Sequence, residues 1–158
     1  MSEEATPDFQ ILTKALRKKG TEFVIALAPT RGMAAHEFLP MSNPLVKDYK
    51  VEDVKKSYTD FIAAMNTAGI PTVGTPDLKA GANFFYKTDL HWTTEGAREM
   101  AEAVATYVKT LPVYAGLKKT EFVMTPAPEG EFEGNFTEAI EKLCNAKMPL
   151  EMSTEIVV

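Results

Sequence analysis

The chain has 158 residues and a mass of 17.4 kDa, the length of one ordinary domain with room for a hydrophobic core. Seventeen lysines and arginines against 22 aspartates and glutamates leave a net charge of −5 and a pI near 5.1. That balance argues against a nucleic-acid binder, which usually carries a basic face, and weakens a membrane-surface reading. Hydrophobic residues at 45% and charged residues at 25% are average, which indicates neither disorder nor a membrane protein. No apolar run approaches the roughly 18 residues of a membrane helix.

The single cysteine, Cys144, has no partner for an internal disulfide, and with only two histidines in the chain neither a metal site nor a cofactor is expected. The opening Met1-Ser2-Glu3-Glu4 is acidic and shows no signal-peptide pattern.

Phe9, Leu12 and Leu16 recur at helical spacing, which predicts a first helix over Pro7–Lys19. Thr6 is its candidate N-cap, with Pro7 in the first turn and Gly20 as the left-handed stop. Phe23 to Ala28 is apolar throughout and too short for a helix, as expected of a strand buried on both faces. Pro29 to Pro44 reads as a long loop. A second helix follows from Val51 to Thr67, with Val51, Val54, Tyr58, Phe61, Ile62 and Met65 on one stripe.

Gly69 ends that helix, and Ile70 to Val73 is a short strand. Thr93 is the expected N-cap of a third helix, Thr94–Lys109, whose Glu95 suits the positive end of the helix dipole. Past Leu111 the pattern weakens. Lys118–Thr125 is a candidate edge strand, Pro126–Gly134 a loop, and Asn135–Asn145 a short helix. Helix and strand alternate, which predicts an α/β fold with a parallel sheet and helices on both faces. So few strands suggest a portion of a larger sheet domain.

Asp89 and His91 stand two residues apart in Thr88-Asp89-Leu90-His91-Trp92-Thr93-Thr94-Glu95-Gly96. On an extended loop their side chains project to one side, whereas on a helix they diverge by about 200°. A carboxylate so placed accepts from one imidazole nitrogen, fixes the tautomer and leaves the other nitrogen free as a base. By spacing alone, a hydrogen-bonded surface histidine remains the commoner role for such a pair. Trp92, as a loop tryptophan, is by itself a packing residue.

Arg31 follows the first strand directly, where open α/β sheets frame a ligand crevice, so it is a candidate contact for an anionic substrate. A solvated loop arginine is the alternative. His36 suits a structural or exposed role. No serine is a persuasive nucleophile: Ser2 lies in a polar tail, Ser57 on a helix, Ser42 without a glycine-flanked turn, and Ser153 without a preceding strand. Cys144 falls in an expected helix.

The stretch Phe85 to Ala97, containing Asp89-Leu90-His91-Trp92-Thr93, resembles the Asp-x-His-Trp motif of the SGNH-hydrolase-like domain of bacterial alginate O-acetyltransferases, the AlgJ and AlgX kind. The strand ending Ala28-Pro29-Thr30-Arg31 is similar to that family's strand and Pro-Ser-Lys/Arg turn, with Thr30 in place of serine. Leu143-Cys144, followed by Pro149 and Glu151, resembles its cysteine-containing segment. The resemblance spans about residues 10–155.

It implies a flavodoxin-like α/β/α fold, a periplasmic location and a Ser–His–Asp triad that acetylates an anionic exopolysaccharide such as alginate. In that frame His91 is the base, Asp89 its orienting acid, and Arg31 and Trp92 are substrate-binding. The family's serine follows the Asp-x-His motif in a later turn, which this sequence does not reach by Val158. The family's cysteine at the position of Cys144 can pair with one lying N-terminal, which is missing here. Expected partners are the polysaccharide, an acetyl donor and other polysaccharide-secretion proteins. Two competing readings are an SGNH-type esterase using water as acceptor and a non-catalytic polysaccharide-binding or assembly module.

Overall fold

The computed structural model describes residues 6–123, 125–154 and 156–157. Its elements in chain order are α1 (Thr6–Arg17), β1 (Ile25–Leu27), α2 (Arg31–Ala34), α3 (Val51–Thr67), β2 (Thr72–Gly74), α4 (Thr94–Val108), β3 (Thr125–Pro126), β4 (Gly130–Phe132), α5 (Thr137–Cys144), β5 (Glu151–Ser153) and β6 (Ile156–Val157). Short 3-10 turns cover His36–Phe38, Gly81–Phe84 and Pro112–Gly116.

β1 and β2 pair in parallel with Ile25 opposite Thr72 and Leu27 opposite Gly74, and α3 is the crossover between them. This is the βαβ unit that the alternation of helix and strand predicts. The boundaries of α3 and the start of α4 fall where the apolar stripe and the Thr93 cap place them. Thr6 is the first residue of α1 rather than its cap. Gly20 and Gly69 both adopt positive φ, at 76° and 78°, and turn the chain after α1 and α3.

Other expectations change, and the expected loop Pro29–Pro44 holds α2 and a 3-10 turn. The first strand is three residues rather than six, with Ala26 exposed and Ile25 and Leu27 half-buried. Among the described residues β1 pairs with β2 alone, so its apolar run is covered on fewer sides than its composition implies. The edge strand expected over Lys118–Thr125 is also absent among the described residues before Thr125. Exposed Phe122 and Val123 show that this stretch finds no sheet to join. Instead, the glycine-rich segment after it makes small antiparallel pairs, β3 with β6 and β4 with β5.

The core is compact: Met33, Ala34, Tyr58, Leu78, Phe84 and Met100 are buried together, with Leu27, Val54, Ile62 and Phe85 against them. Its polar fittings are specific. Tyr58 reaches from α3 over the ends of both strands, donating to the Leu27 carbonyl at 2.5 Å and accepting from the Thr75 amide at 3.0 Å. Asn66 pairs with both backbone groups of Thr72, continuing the sheet with a side chain. The Glu99 carboxylate accepts from the Lys79 and Ala80 amides and fixes α4 to the segment before the 3-10 turn Gly81–Phe84.

Candidate active site

The Asp-x-His segment is a short closed loop whose arms are held by backbone bonds. The Tyr86 amide donates to the His91 carbonyl at 3.2 Å, the Thr93 amide donates to the Phe84 carbonyl at 3.0 Å, and Phe85 bridges to Trp92. Thr93 closes the loop and starts α4, accepting from the Gly96 amide at 3.2 Å and donating to the Asn83 carbonyl. Gly96 lies where any Cβ would run into the Phe84 carbonyl, so α4 approaches the loop only because residue 96 has no side chain.

At the tip, Asp89 is 2% exposed while the His91 side chain is 64% exposed. Asp89 Oδ1 accepts from the His91 amide at 2.8 Å and lies 2.5 Å from His91 Nδ1. Its Oδ2 accepts from the Asn135 amide at 2.8 Å. Burial alone would raise the Asp89 pKa, but the Asn135 amide and the amide and ring of His91 outweigh it and hold the pKa at about 2. Asp89 is therefore an ionised acceptor at neutral pH. An ionised carboxylate only accepts, so His91 Nδ1 is the donor to it, which leaves Nε2 as the unprotonated nitrogen of the neutral ring.

Three parts of the chain hold this loop. Just after β1, Thr30 caps α2 by accepting from the Met33 amide at 3.1 Å. The first residue of α2, Arg31, donates from Nη1 to the Tyr86 carbonyl at 2.8 Å and from Nη2 to the Asp89 carbonyl. Its guanidinium lies 5.1 Å from the centre of the Phe85 ring. From the other flank, Glu151 accepts from both the Thr88 amide and hydroxyl, and the Phe136 amide donates to the Thr88 carbonyl at 3.0 Å. Gly134 packs so closely on Thr88 that a Cβ there would meet its carbonyl and hydroxyl.

The structure thus brings Asp89, His91, Arg31 and Trp92 to one loop. Trp92 is 42% exposed and meets Phe84 edge-on, so it both packs and presents a face to solvent. The Arg31 guanidinium, expected at a ligand, gives two donors to the protein's own carbonyls. His36 bonds locally toward the Met33 carbonyl, and Cys144 ends α5 exposed. Among the described residues no hydroxyl or thiol bonds to His91. Ser153 instead pairs with the Tyr86 hydroxyl, Ser42 and Ser57 lie elsewhere, and Ser2 lies outside the described residues. No cluster of metal-ligating side chains occurs among the described residues.

An open cleft of about 590 Å³ runs beside the loop, between Tyr86–Thr88, the start of α4 and residues 148–154. Glu95, Glu129 and Glu151 outnumber Lys87 on its walls, and neither Asp89 nor His91 lines it. It is a poor match for a polyanion. Sequence reasoning missed Asn135, Gly134 and the acceptor role of Glu151 toward Thr88. A backbone donor leaves no trace in residue type, and a glycine needed for close approach looks like any loop glycine.

Comparison with known proteins adds identity to this geometry. Residues 1–157 match the family model described as the SGNH hydrolase-like domain of acetyltransferase AlgX. The alginate biosynthesis protein AlgX of Pseudomonas aeruginosa is 32% identical over 149 residues, covering 90% of this chain and 30% of that protein. AlgX of Azotobacter vinelandii is 30% identical over 158 residues, covering 96% of this chain and 32% of that protein. The chain therefore spans about a third of the length of these relatives.

The solved structure of P. aeruginosa AlgX superposes on the whole chain with a TM-score of 0.82 at 29% identity, and the chain covers 39% of it. The O-acetyltransferase domain of Pseudomonas putida AlgJ gives 0.69 at 20% identity, over 96% of this chain and 55% of that one, and shows the shared fold. With an SGNH-hydrolase-like arrangement of parallel strands and helices, and a family match along nearly its whole length, the chain belongs to the AlgX family of SGNH hydrolase-like acetyltransferase domains.

Proposed function

We propose that this chain is the part of a periplasmic alginate O-acetyltransferase that carries the base and its orienting acid, His91 and Asp89. The observation that carries the reading is the buried, ionised Asp89 holding the ring of an exposed histidine through Nδ1. A structural histidine would be buried with both nitrogens satisfied. This one has a side chain that is 64% exposed, and its Nε2 bonds to nothing among the described residues.

In this reading a serine supplied from outside these residues loses its hydroxyl proton to His91 Nε2 as its oxygen attacks the acetyl carbonyl of a donor ester. Asp89 stabilises the imidazolium that forms. The proton then passes to the leaving alcohol, and an acetyl-serine remains. A hydroxyl of the uronate polymer attacks in turn, giving its proton to Nε2, and the serine recovers the proton when the acetylated sugar departs. The exposed face of Trp92 beside His91 offers a stacking surface for a sugar ring.

The test uses the longest product that the reading frame encodes, supplied with a small acetyl ester and oligomannuronate. Acetylated oligosaccharide by mass spectrometry is the expected outcome, with a loss of about 10²–10⁴-fold in His91→Ala and Asp89→Ala. Free acetate with no acetylated sugar would make it an esterase instead. Undiminished turnover in both variants would remove the roles of His91 and Asp89.

A further inference from the structure

The guanidinium of Arg31 is spent on the loop that carries Asp89 and His91, and its position is not accidental to the fold. Arg31 opens α2, whose Met33 and Ala34 are among the most buried residues of the core, at 1% and 2% exposure. Thr30 caps the helix, so the base of the side chain sits on a rigid platform at the end of β1. The side chain crosses to a segment 55 to 58 residues away and donates to two carbonyls, those of Tyr86 and Asp89. These two carbonyls flank the buried Thr88 and lead directly into the exposed Leu90 and His91. The Phe85 ring beneath the guanidinium fixes its plane.

A planar fork that donates to two acceptors at once fixes orientation as well as distance, which an ammonium on a flexible stem does not. The Asp89 carbonyl is one of the two acceptors, and the carboxylate of the same residue orients His91. The guanidinium therefore sets the backbone from which that carboxylate projects.

We infer that Arg31 is a positioning residue for the Asp89–His91 pair: its guanidinium, bonded to the Tyr86 and Asp89 carbonyls, holds the loop so that the Asp89 carboxylate keeps the proton of neutral His91 on Nδ1. The inference rests on the acid–base role proposed for His91, and it gives Arg31 work that needs no contact with substrate.

The tautomer of His91 reads this directly and without turnover. Long-range proton–nitrogen correlation spectra of the ¹⁵N-labelled 158-residue chain, recorded where both imidazoles are neutral, distinguish Nδ1–H from Nε2–H. The chain has two histidines, and a His36→Gln variant assigns them. The wild-type chain is expected to show Nδ1–H as the predominant form of His91. Arg31→Ala is expected to make it the minor form while circular dichroism stays that of a folded chain, and Arg31→Lys to fall between the two.

If Arg31→Ala does not fold, Arg31→Lys and Arg31→Gln are read in its place. Folded variants that keep the wild-type share of Nδ1–H overturn the inference. A wild-type spectrum dominated by Nε2–H would instead overturn the Asp89–His91 pairing itself, and with it the proposed function, so the two failures are distinguishable.

Discussion

The backbone amide of Asn135 donates to Asp89 Oδ2 at 2.8 Å across 46 residues of chain. The segment entering α5 thereby completes the solvation of a carboxylate that the rest of the fold has buried. Without such donors a buried carboxyl takes up a proton and ceases to be an acceptor for His91. With them it stays charged, and the site depends on a part of the chain far from its own motif.

That arrangement fixes a pH dependence. The Asp89 carboxyl has a folded pKa of about 2, against 3.8 for an unperturbed aspartate. A depressed acid contributes stability that is fully present above its unfolded pKa and is lost as pH falls through the folded value. Asp89→Asn is therefore expected to lower stability at neutral pH, and the gap to wild type should close between pH about 4 and 2. Urea midpoints measured across that range check it. A gap of constant size would mean that the Asp89 carboxyl titrates alike in the folded and unfolded chain.

Gly134 is a second dependence. A methyl group there would meet the carbonyl and hydroxyl of Thr88, and backbone atoms do not move aside cheaply. Gly134→Ala is expected to cost about 1–3 kcal/mol and to displace the segment that brings the Asn135 amide to Asp89. Hydrogen exchange at Asn135 is the specific reading: the amide should be protected in wild type and exchange freely in the variant. Protection in both would show that the segment adjusts around the methyl.

The two members of the pair should differ in what they do for stability. The His91 side chain is exposed, and His91→Ala removes one partner of a carboxylate that keeps two amide donors, so stability should change by no more than about 0.5 kcal/mol. Asp89→Ala leaves the amides of His91 and Asn135 without their acceptor in a buried place and should cost about 1–3 kcal/mol. Thermal or urea unfolding of the two variants compares them. Equal losses would place His91 among the structural residues.

The legible part of this protein was the part governed by local rules. The apolar stripe of α3, the Thr93 cap, the glycine stops at 20 and 69 and the two-residue spacing of Asp89 and His91 all act within a few residues of sequence, and each is found as read. What escaped was non-local. Arg31 carries a charge that suggests a ligand anion, yet its acceptors are carbonyls 55 and 58 residues on, and any residue type offers a carbonyl. The Phe23–Ala28 run indicated a strand but not its length, because strand length depends on what pairs beside it.

Tyr58 shows the same principle inside the core. Its position on the α3 stripe marks it as a packing residue, and only the fold reveals that its hydroxyl bridges the ends of β1 and β2. Desolvation raises its pKa above the ordinary phenol value, so it stays a neutral donor throughout the physiological range. Tyr58→Phe removes one oxygen and strands the Leu27 carbonyl and the Thr75 amide, at a cost of about 1–3 kcal/mol. Because Arg31 extends from the same end of β1, the variant should also loosen the loop at Tyr86 and Asp89. Urea unfolding measures the first effect, and amide exchange along residues 86–91 measures the second. A stable Tyr58→Phe with unchanged exchange would show that the strand ends are held by their ladder alone.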